Sequence, residues 1–203
     1  MRIIKVENGP FMANAYIIID GIKAIMIDPG LDYELLKSWI DKYSLTLTGI
    51  IGTHAHPDHI GIVNDLKKKY DIPFFIHKDE QAILNYYDDM LNFIGLSKLE
   101  TPIPDSYIEN EGELKIGNFQ FEILHTPGHT PGSICIKIDK ILFTGDTLFK
   151  QSIGRADLPG GNEDLLINSL ERLKNLDENI IIYPGHGPES NILDEKKNNP
   201  FLM

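Results

Sequence analysis

Residues 52–61 read GTHAHPDHIG, so His54, His56, Asp58 and His59 fall within six positions. An apolar run, LTGII (47–51), precedes them, and a stretch with helical spacing, HIGIVNDLKKKY (59–70), follows. Three of the chain's seven histidines are spent in this one turn. In extended backbone, residues two apart point to the same side, which aims His54 and His56 together. Asp58 and His59 are adjacent and cannot share one face of a regular helix. They converge only from an irregular turn ahead of the helix, which Pro57 helps to form. Such a turn presents two ligand pairs in different directions, and two neighbouring metal ions would use both. Nitrogen and carboxylate donors suit zinc first, with iron or manganese as alternatives.

Taken singly, each residue has a plainer reading. Asp58 can cap the following helix, and His56 can be a surface turn residue. Asp146 can stabilise the TGDT turn, and His186 can sit in a loop between two glycines. The pattern beyond the first turn favours a metal centre. His54, Asp146 and His186 each follow an apolar strand where the chain turns, in GIIGTH, ILFTGD and IIIYPGH, and His129 lies in TPGHTPG after FQFEIL. Glycine or proline flanks every one of these points, as close turns require. Loops at strand ends, carried on a rigid scaffold, are the usual place for chemistry.

The rest of the chain supplies that scaffold. RIIKVE (2–7), NAYIIID (14–20) and KAIMID (23–28) read as a meander of strands. DYELLKSWIDKY (32–43) has helical spacing, with Leu35, Leu36, Trp39 and Ile40 on one face. A strand at 47–53, a helix at 59–70, a strand at 72–77, helix within 79–96 and a loop-like stretch at 97–112 follow. GELKIG (112–117), FQFEILHT (119–126), SICIKID (133–139) and KILFTGD (140–146) are strands again. NEDLLINSLERLKNL (162–176) is an amphipathic helix with Asn162 as its cap, NIIIYPG (179–185) a strand, and NILDEKKN (191–198) a last short helix. Strands and then helices, twice over, predict two halves packed sheet to sheet with helices outside. No long linker or low-complexity segment divides them, so a single domain over 1–203 is expected.

Composition narrows the partners. Apolar residues make up 42% of the chain and charged residues 24%, with a formal net charge of −11. An acidic surface repels phosphate backbones, which disfavours nucleic acid. The N-terminus is charged too early for a signal peptide, and no apolar run approaches the roughly 18 to 20 residues of a membrane helix. A cytoplasmic protein with no membrane partner is expected. One cysteine, Cys135, excludes a disulfide within the chain.

THAHPDH resembles the histidine-rich motif of the metallo-β-lactamase fold superfamily. TPGHT, FTGDT and PGHG resemble its remaining ligand motifs in the same order, and the early IDPG (27–30) also matches. The resemblance spans the whole chain. It implies an α/β protein, a four-layer αββα sandwich of two mixed β-sheets with helices on the outer faces and metals at one sheet edge. Carried over, it implies that His54, His56 and His129 hold one metal. Asp58, His59 and His186 would hold a second, with Asp146 bridging both. Asp28 resembles an aspartate that supports the ligand loop; its alternative is a plain turn residue before Pro29. His77 and His125, outside the motifs, are expected to be structural.

Two divalent cations outweigh two carboxylates and one hydroxide, leaving a net positive site that polarises a carbonyl oxygen. Metal binding lowers the pKa of water from about 15.7 towards 7, so a metal-held hydroxide is ready at neutral pH. The expected reaction is hydrolysis with no serine or cysteine nucleophile, and Asp58 and Asp146 are the expected catalytic carboxylates. A β-lactamase of the superfamily is typically exported and usually carries cysteine in the second site, where Asp146 stands here. FTGDTLFKQSIGRADLPGG (143–161) and EKKNNPFL (195–202) resemble short bacterial relatives of glyoxalase II, or hydroxyacylglutathione hydrolase. That resemblance implies a small-molecule acyl thioester as substrate. The chain stops short of the C-terminal helical region with which the full-length enzyme holds glutathione, which leaves the thiol carrier open.

Arg155, in GRAD (154–157), is a candidate for gripping a substrate carboxylate in two-pronged fashion; the alternative is an internal pair with Asp157. The GRxD element also occurs in persulfide dioxygenases of the same fold, which use a single iron on two histidines and one aspartate, here His54, His129 and Asp146. That is the alternative enzyme. Another ester or lactone hydrolase, or a metal-binding module without catalysis, completes the alternatives.

Overall fold

Tyr16 and Ile18 point to one side of their strand and Ile17 and Ile19 to the other, yet all four are buried. A strand apolar on both faces needs a layer on each side, and that requirement organises the chain. The computed structural model describes residues 1–96 and 99–202. Six strands form one sheet in sequence order: β1 (Arg2–Asn8), β2 (Ala13–Asp20), β3 (Lys23–Ile27), β4 (Thr46–Ile51), β5 (Phe74–His77) and β6 (Ser106–Ile108). β1 to β3 run antiparallel, and β3 to β6 are parallel neighbours. In the second half come β7 (Gly112–Ile116), β8 (Phe119–His125), β9 (Ile134–Ile138) and β10 (Ile141–Gly145). A small hairpin, β11 (Leu148–Phe149) with β12 (Ser152–Ile153), precedes β13 (Ile181–Pro184) and β14 (Ser190–Asn191). The second sheet has the order β14-β13-β10-β9-β8-β7, with β10 and β13 its parallel pair.

The sheets pack face to face. Tyr16, Ile18, Ile25, Ile27 and Ile51 of the first meet Phe119, Phe121, Ile134, Ile136 and Phe143 of the second in one buried layer. Helices cover the outer faces. On the first sheet they are α1 (Tyr33–Lys42), α2 (Pro57–Ile60), α3 (Val63–Tyr70), α4 (Gln81–Leu84) and α5 (Tyr87–Phe93). Leu36, Ile40, Val63, Leu66 and Leu91 from these helices pack on Ala15, Ile17, Ile19 and Met26. On the second sheet, α6 (Glu163–Lys174) and α7 (Ile192–Asn198) bring Leu166, Leu170, Leu173 and Ile192 against Cys135, Leu142 and Ile182. The result is the four-layer αββα sandwich that the motifs implied. Asn162 caps α6 as expected, accepting from Leu165 N at 3.0 Å. Among the described residues no helix is long and apolar enough to cross a membrane.

Two expectations need correction. The helix expected over 59–70 is split into α2 and α3. Gly30 N takes the His59 carbonyl at 2.8 Å and Gly30 O receives Ile62 N at 3.0 Å, so the helical ladder is interrupted by a neighbouring strand end. The helix expected within 79–96 is present, as two pieces, α4 and α5. The stretch expected to be loop at 97–112 contains β6, an edge strand paired with β5; residues 97 and 98 lie outside the described residues.

Phe143 is fully buried between the sheets, its ring centroid 4.9 Å from Tyr16 and 5.5 Å from Tyr183. Phe143→Ala should lower unfolding stability by about 3–5 kcal/mol, read from urea denaturation. A loss below about 1 kcal/mol would contradict close packing of the two sheets at this point.

Candidate metal centre

The candidate ligands other than Asp58 and His59, which lie on α2, hang from the turns beyond the strands, at one edge of the sandwich. Asp28 follows β3, His54 follows β4, His129 lies between β8 and β9, Asp146 follows β10 and His186 follows β13. Backbone bonds lock the two sheets together there, Ile134 N to Thr53 O at 3.0 Å and Asn14 N to Gly185 O at 2.7 Å, while Gly185 N to Gly145 O at 2.8 Å ties β13 to β10 within the second sheet. The glycines are needed for the close approach. A Cβ on Gly185 would lie 2.1 Å from Asp146 Oδ1, and Gly145, at φ +47°, would put one 2.5 Å from Thr53 Oγ1.

The structure brings all seven candidate ligands together. His54, His56 and His129 form one group and Asp58, His59 and His186 another, each with donor atoms within 4.8 Å of one another. His56 Nδ1 faces His129 Nε2 at 2.9 Å, and His59 Nε2 faces His186 Nε2 at 3.2 Å. Asp146 stands between the groups, with Oδ1 3.4 Å from His59 Nε2 and Oδ2 3.6 Å from both His129 Nε2 and His186 Nε2. Asp58 Oδ2 lies 3.3 Å from His186 Nε2. Asp58 and His59 sit inside the first turn of α2 rather than in an irregular turn ahead of it, because Pro57 starts the helix early. The cap position belongs to His56, so Asp58 does not cap the helix.

A second layer fixes which nitrogen of each imidazole carries the proton. Asp28 Oδ1 accepts from Thr53 N at 2.7 Å, and its Oδ2 accepts from the Thr53 hydroxyl at 2.6 Å. With its proton given to Asp28, Thr53 Oγ1 accepts from His54 Nδ1 at 3.0 Å, which turns the His54 Nε2 lone pair inward. His59 Nδ1 donates to Asp28 Oδ2 at 3.0 Å. His129 Nδ1 donates to the Arg155 carbonyl at 2.7 Å, leaving Nε2 as the inward lone pair. Metal-binding histidines are held by such outer partners. Two inward atoms, His54 Nε2 and Asp146 Oδ1, are buried without any hydrogen-bond partner. Orphaned lone pairs converging from nitrogen and carboxylate donors are what divalent cations require, so the residues fit the metals that the fold implies.

The electrostatics agree. Burial, reinforced by His59, drives His54 far below the ordinary imidazole range. Burial together with His129 lowers His56 to about 3. Both are neutral at neutral pH and have lone pairs to offer. Burial alone would lower His59 too, but Asp146, Asp58 and Asp28 raise it to about 10. Burial would raise Asp58, but His59 and the hydrogen bond with His186 hold it below the ordinary carboxylate range. The pocket therefore attracts positive charge, and the metal-free chain keeps a proton on His59 where a cation would sit.

Arg155 serves this site through its backbone. Its side chain is exposed and forked onto Asp157, with Nε to Oδ1 at 2.8 Å and Nη2 to Oδ2 at 2.9 Å, which is the internal pair that pins the loop. His77 and His125 stack, with centroids 4.2 Å apart and planes 19° from parallel. Their donor atoms and those of Asp79 also lie within 4.8 Å. Parallel rings send their lone pairs along parallel lines, and His125 Nε2 donates to Pro131 O at 2.9 Å, so the stack reads as packing. Sequence reasoning missed Thr53 and Glu80. Thr53 had a signal, as a hydroxyl adjacent to the first motif histidine. Glu80 had none, because its partners lie 25 to 52 residues away.

Two mixed sheets between helix layers, with histidine and aspartate clusters at one edge, define a metallohydrolase scaffold. The chain belongs to the metallo-beta-lactamase superfamily, whose family model matches residues 8–186. It is 40% identical over 200 residues to a probable metallo-hydrolase, YqgX, of Bacillus subtilis, covering 96% of this chain and 94% of that protein. It is 38% identical over 198 residues to the hydroxyacylglutathione hydrolase GloC of Haemophilus influenzae, covering 95% and 93%. Among solved structures, the BLEG-1 B3 metallo-beta-lactamase superposes with a TM-score of 0.94 at 38% identity over the whole of both chains. TTHA1623 in a di-iron-bound form superposes with 0.91 at 36% identity, over 98% of this chain and 100% of that one.

Metals displace protons from their ligands. With His59 raised to about 10, zinc loading of the metal-free chain at neutral pH should release at least one proton. Calorimetric titration in two buffers of different ionisation enthalpy reads that number. Heats independent of the buffer would contradict a protonated His59.

Proposed function

We propose that the chain is a glyoxalase II-like thioesterase working with two divalent cations. The observation that carries this reading is the place of Asp146, whose carboxylate lies within 3.6 Å of nitrogens from both ligand groups. His54, His56 and His129 would hold one cation, Asp58, His59 and His186 the other, and Asp146 would bridge. Zinc suits these donors first, and iron or manganese also fits; TTHA1623, bound to two irons, supports the broader range. The thioester rests on the relative named hydroxyacylglutathione hydrolase, which matches nearly the whole chain. The net charge of −11 supports a small molecule over nucleic acid as partner. The lone buried cysteine suits the reducing cytoplasm.

Divalent cations held there would make a captured water more acidic and polarise the thioester carbonyl. The residues of the chain do the rest. Asp28 and Thr53 lock His54 and His59 with their lone pairs inward. Asp58, more open than Asp28 and Asp146, accepts a hydrogen bond from the incoming water and aims it at the acyl carbon. The water oxygen bonds to that carbon and the carbon–sulfur bond breaks. The leaving sulfur, with a thiol pKa of about 8.5, departs easily and ends with the proton that the water gave up. A substrate carboxylate seeking Arg155 would have to displace Asp157.

The purified protein should hold two metals per chain and cleave an acyl thioester such as lactoylglutathione under strict anaerobiosis. Asp58→Ala should slow that cleavage at least about a hundredfold, roughly 2.7 kcal/mol of barrier. Oxygen consumption with glutathione persulfide, iron as the sole metal and a fully active Asp58→Ala variant would establish the dioxygenase instead. Turnover of a β-lactam with no thioester activity would reassign the substrate.

A further inference from the structure

Glu80 ends a single helical turn, Lys78–Glu80, that carries the chain from β5 into α4, and its side chain is fully buried. The carboxylate is not among the candidate ligands, yet it grips both segments that carry the first group. Its Oε2 accepts from Ala55 N at 2.6 Å, between His54 and His56. Its Oε1 accepts from the Thr130 hydroxyl at 2.5 Å and from Gly132 N at 2.7 Å, just beyond His129. The fit is tight: a Cβ on Gly132 would lie 2.6 Å from Glu80 N and 2.8 Å from Oε1. Thr130 is held from the other side as well, its hydroxyl 2.6 Å from Ser133 Oγ and its N–H donating to that oxygen at 3.1 Å.

Burying a carboxylate is unfavourable unless its oxygens are well satisfied, so the choice of residue is informative. Three donors converge, and two of them are backbone N–H groups facing different oxygens. A glutamine has one carbonyl oxygen and would turn its NH2 towards either Ala55 N–H or Gly132 N–H. Only a carboxylate accepts from both loops at once. Each loop is thus tied to the same helical turn after β5, and the 2.9 Å meeting of His56 with His129 lies between those ties.

We infer that Glu80 is a positioning residue for the His54, His56 and His129 group, setting the spacing of the two loops that bring these nitrogens together. This rests on the two-cation reading above. The role is that of an outer partner, whose loss typically weakens metal affinity about 10–100-fold.

The test is chelator-competition titration of zinc into metal-free wild type, E80Q, T130V and I83A, with thermal melting of each metal-free protein. Ile83 is buried nearby on α4 and has no bond to either ligand loop, so I83A reports general softening. The expected result is two equivalents in wild type and one of them weakened about 10–100-fold in E80Q, the other unchanged. T130V removes the hydroxyl bond but keeps both backbone bonds, so it should weaken the same equivalent less; it carries the test if E80Q does not fold. I83A should melt earlier and keep both affinities. Unchanged affinities in E80Q and T130V, or the same metal loss in I83A, would overturn the inference. A wild type taking up one equivalent retires the two-cation reading instead, and the same comparison on that equivalent then decides for or against Glu80.

Discussion

His56 Nδ1 and His129 Nε2 face each other at 2.9 Å, and His129 Nδ1 already spends its proton on the Arg155 carbonyl. Lone pairs pressed together in a buried pocket repel unless a proton or a cation lies between them. The rest of the molecule can be understood as what holds such an arrangement in place. His59 solves the problem in the metal-free chain by keeping a proton among three carboxylates. His54 Nε2 and Asp146 Oδ1 have no such solution and stay orphaned. A pocket that cannot satisfy its own polar atoms is shaped for a ligand, and the donor types specify a divalent metal.

The strand directions explain how loops far apart in sequence deliver these atoms to one place. β3 beside β4, and β10 beside β13, are parallel pairs. Parallel neighbours end at the same edge of a sheet, so Asp28 emerges beside His54, and Asp146 beside His186. Ligand sites in open sheets favour the carboxyl ends of parallel strands for this reason. Face-to-face packing through Tyr16, Ile27, Ile134 and Phe143 then brings the two edges into register. The backbone bonds from Thr53 to Ile134 and from Asn14 to Gly185 close the seam.

The candidate ligands stood out because metal binding restricts residue type, and histidines after apolar strands are conspicuous. The sandwich was legible for a similar reason, since strands buried on both faces are apolar throughout. What escaped depends on contacts between distant segments. The break at Gly61 and Ile62 follows from Gly30 intruding on the helical ladder, which no local spacing records. β6, β11, β12 and β14 are only two or three residues long, too short for an alternating pattern. Arg155 drew notice for its guanidinium, whereas the structure engages its carbonyl, a group that every residue carries.

Asp28 shows how closely the outer layer is specified. Its backbone is left-handed, at φ +48°, where glycine would be easier. Strain of this kind, of order 1–3 kcal/mol, persists only where the surroundings over-determine it. Glycine would relieve the strain and remove the acceptor of three hydrogen bonds, two from Thr53 and one from His59. Asparagine tolerates left-handed backbone but has a single acceptor oxygen, so its NH2 would face either Thr53 N–H or the pair of Thr53 hydroxyl and His59 Nδ1. Only aspartate combines a short side chain with two acceptor oxygens and a negative charge. The turn after β3 therefore keeps a strained aspartate for the same reason that Glu80 stays buried: each carboxylate gathers donors from segments that nothing else would hold in register.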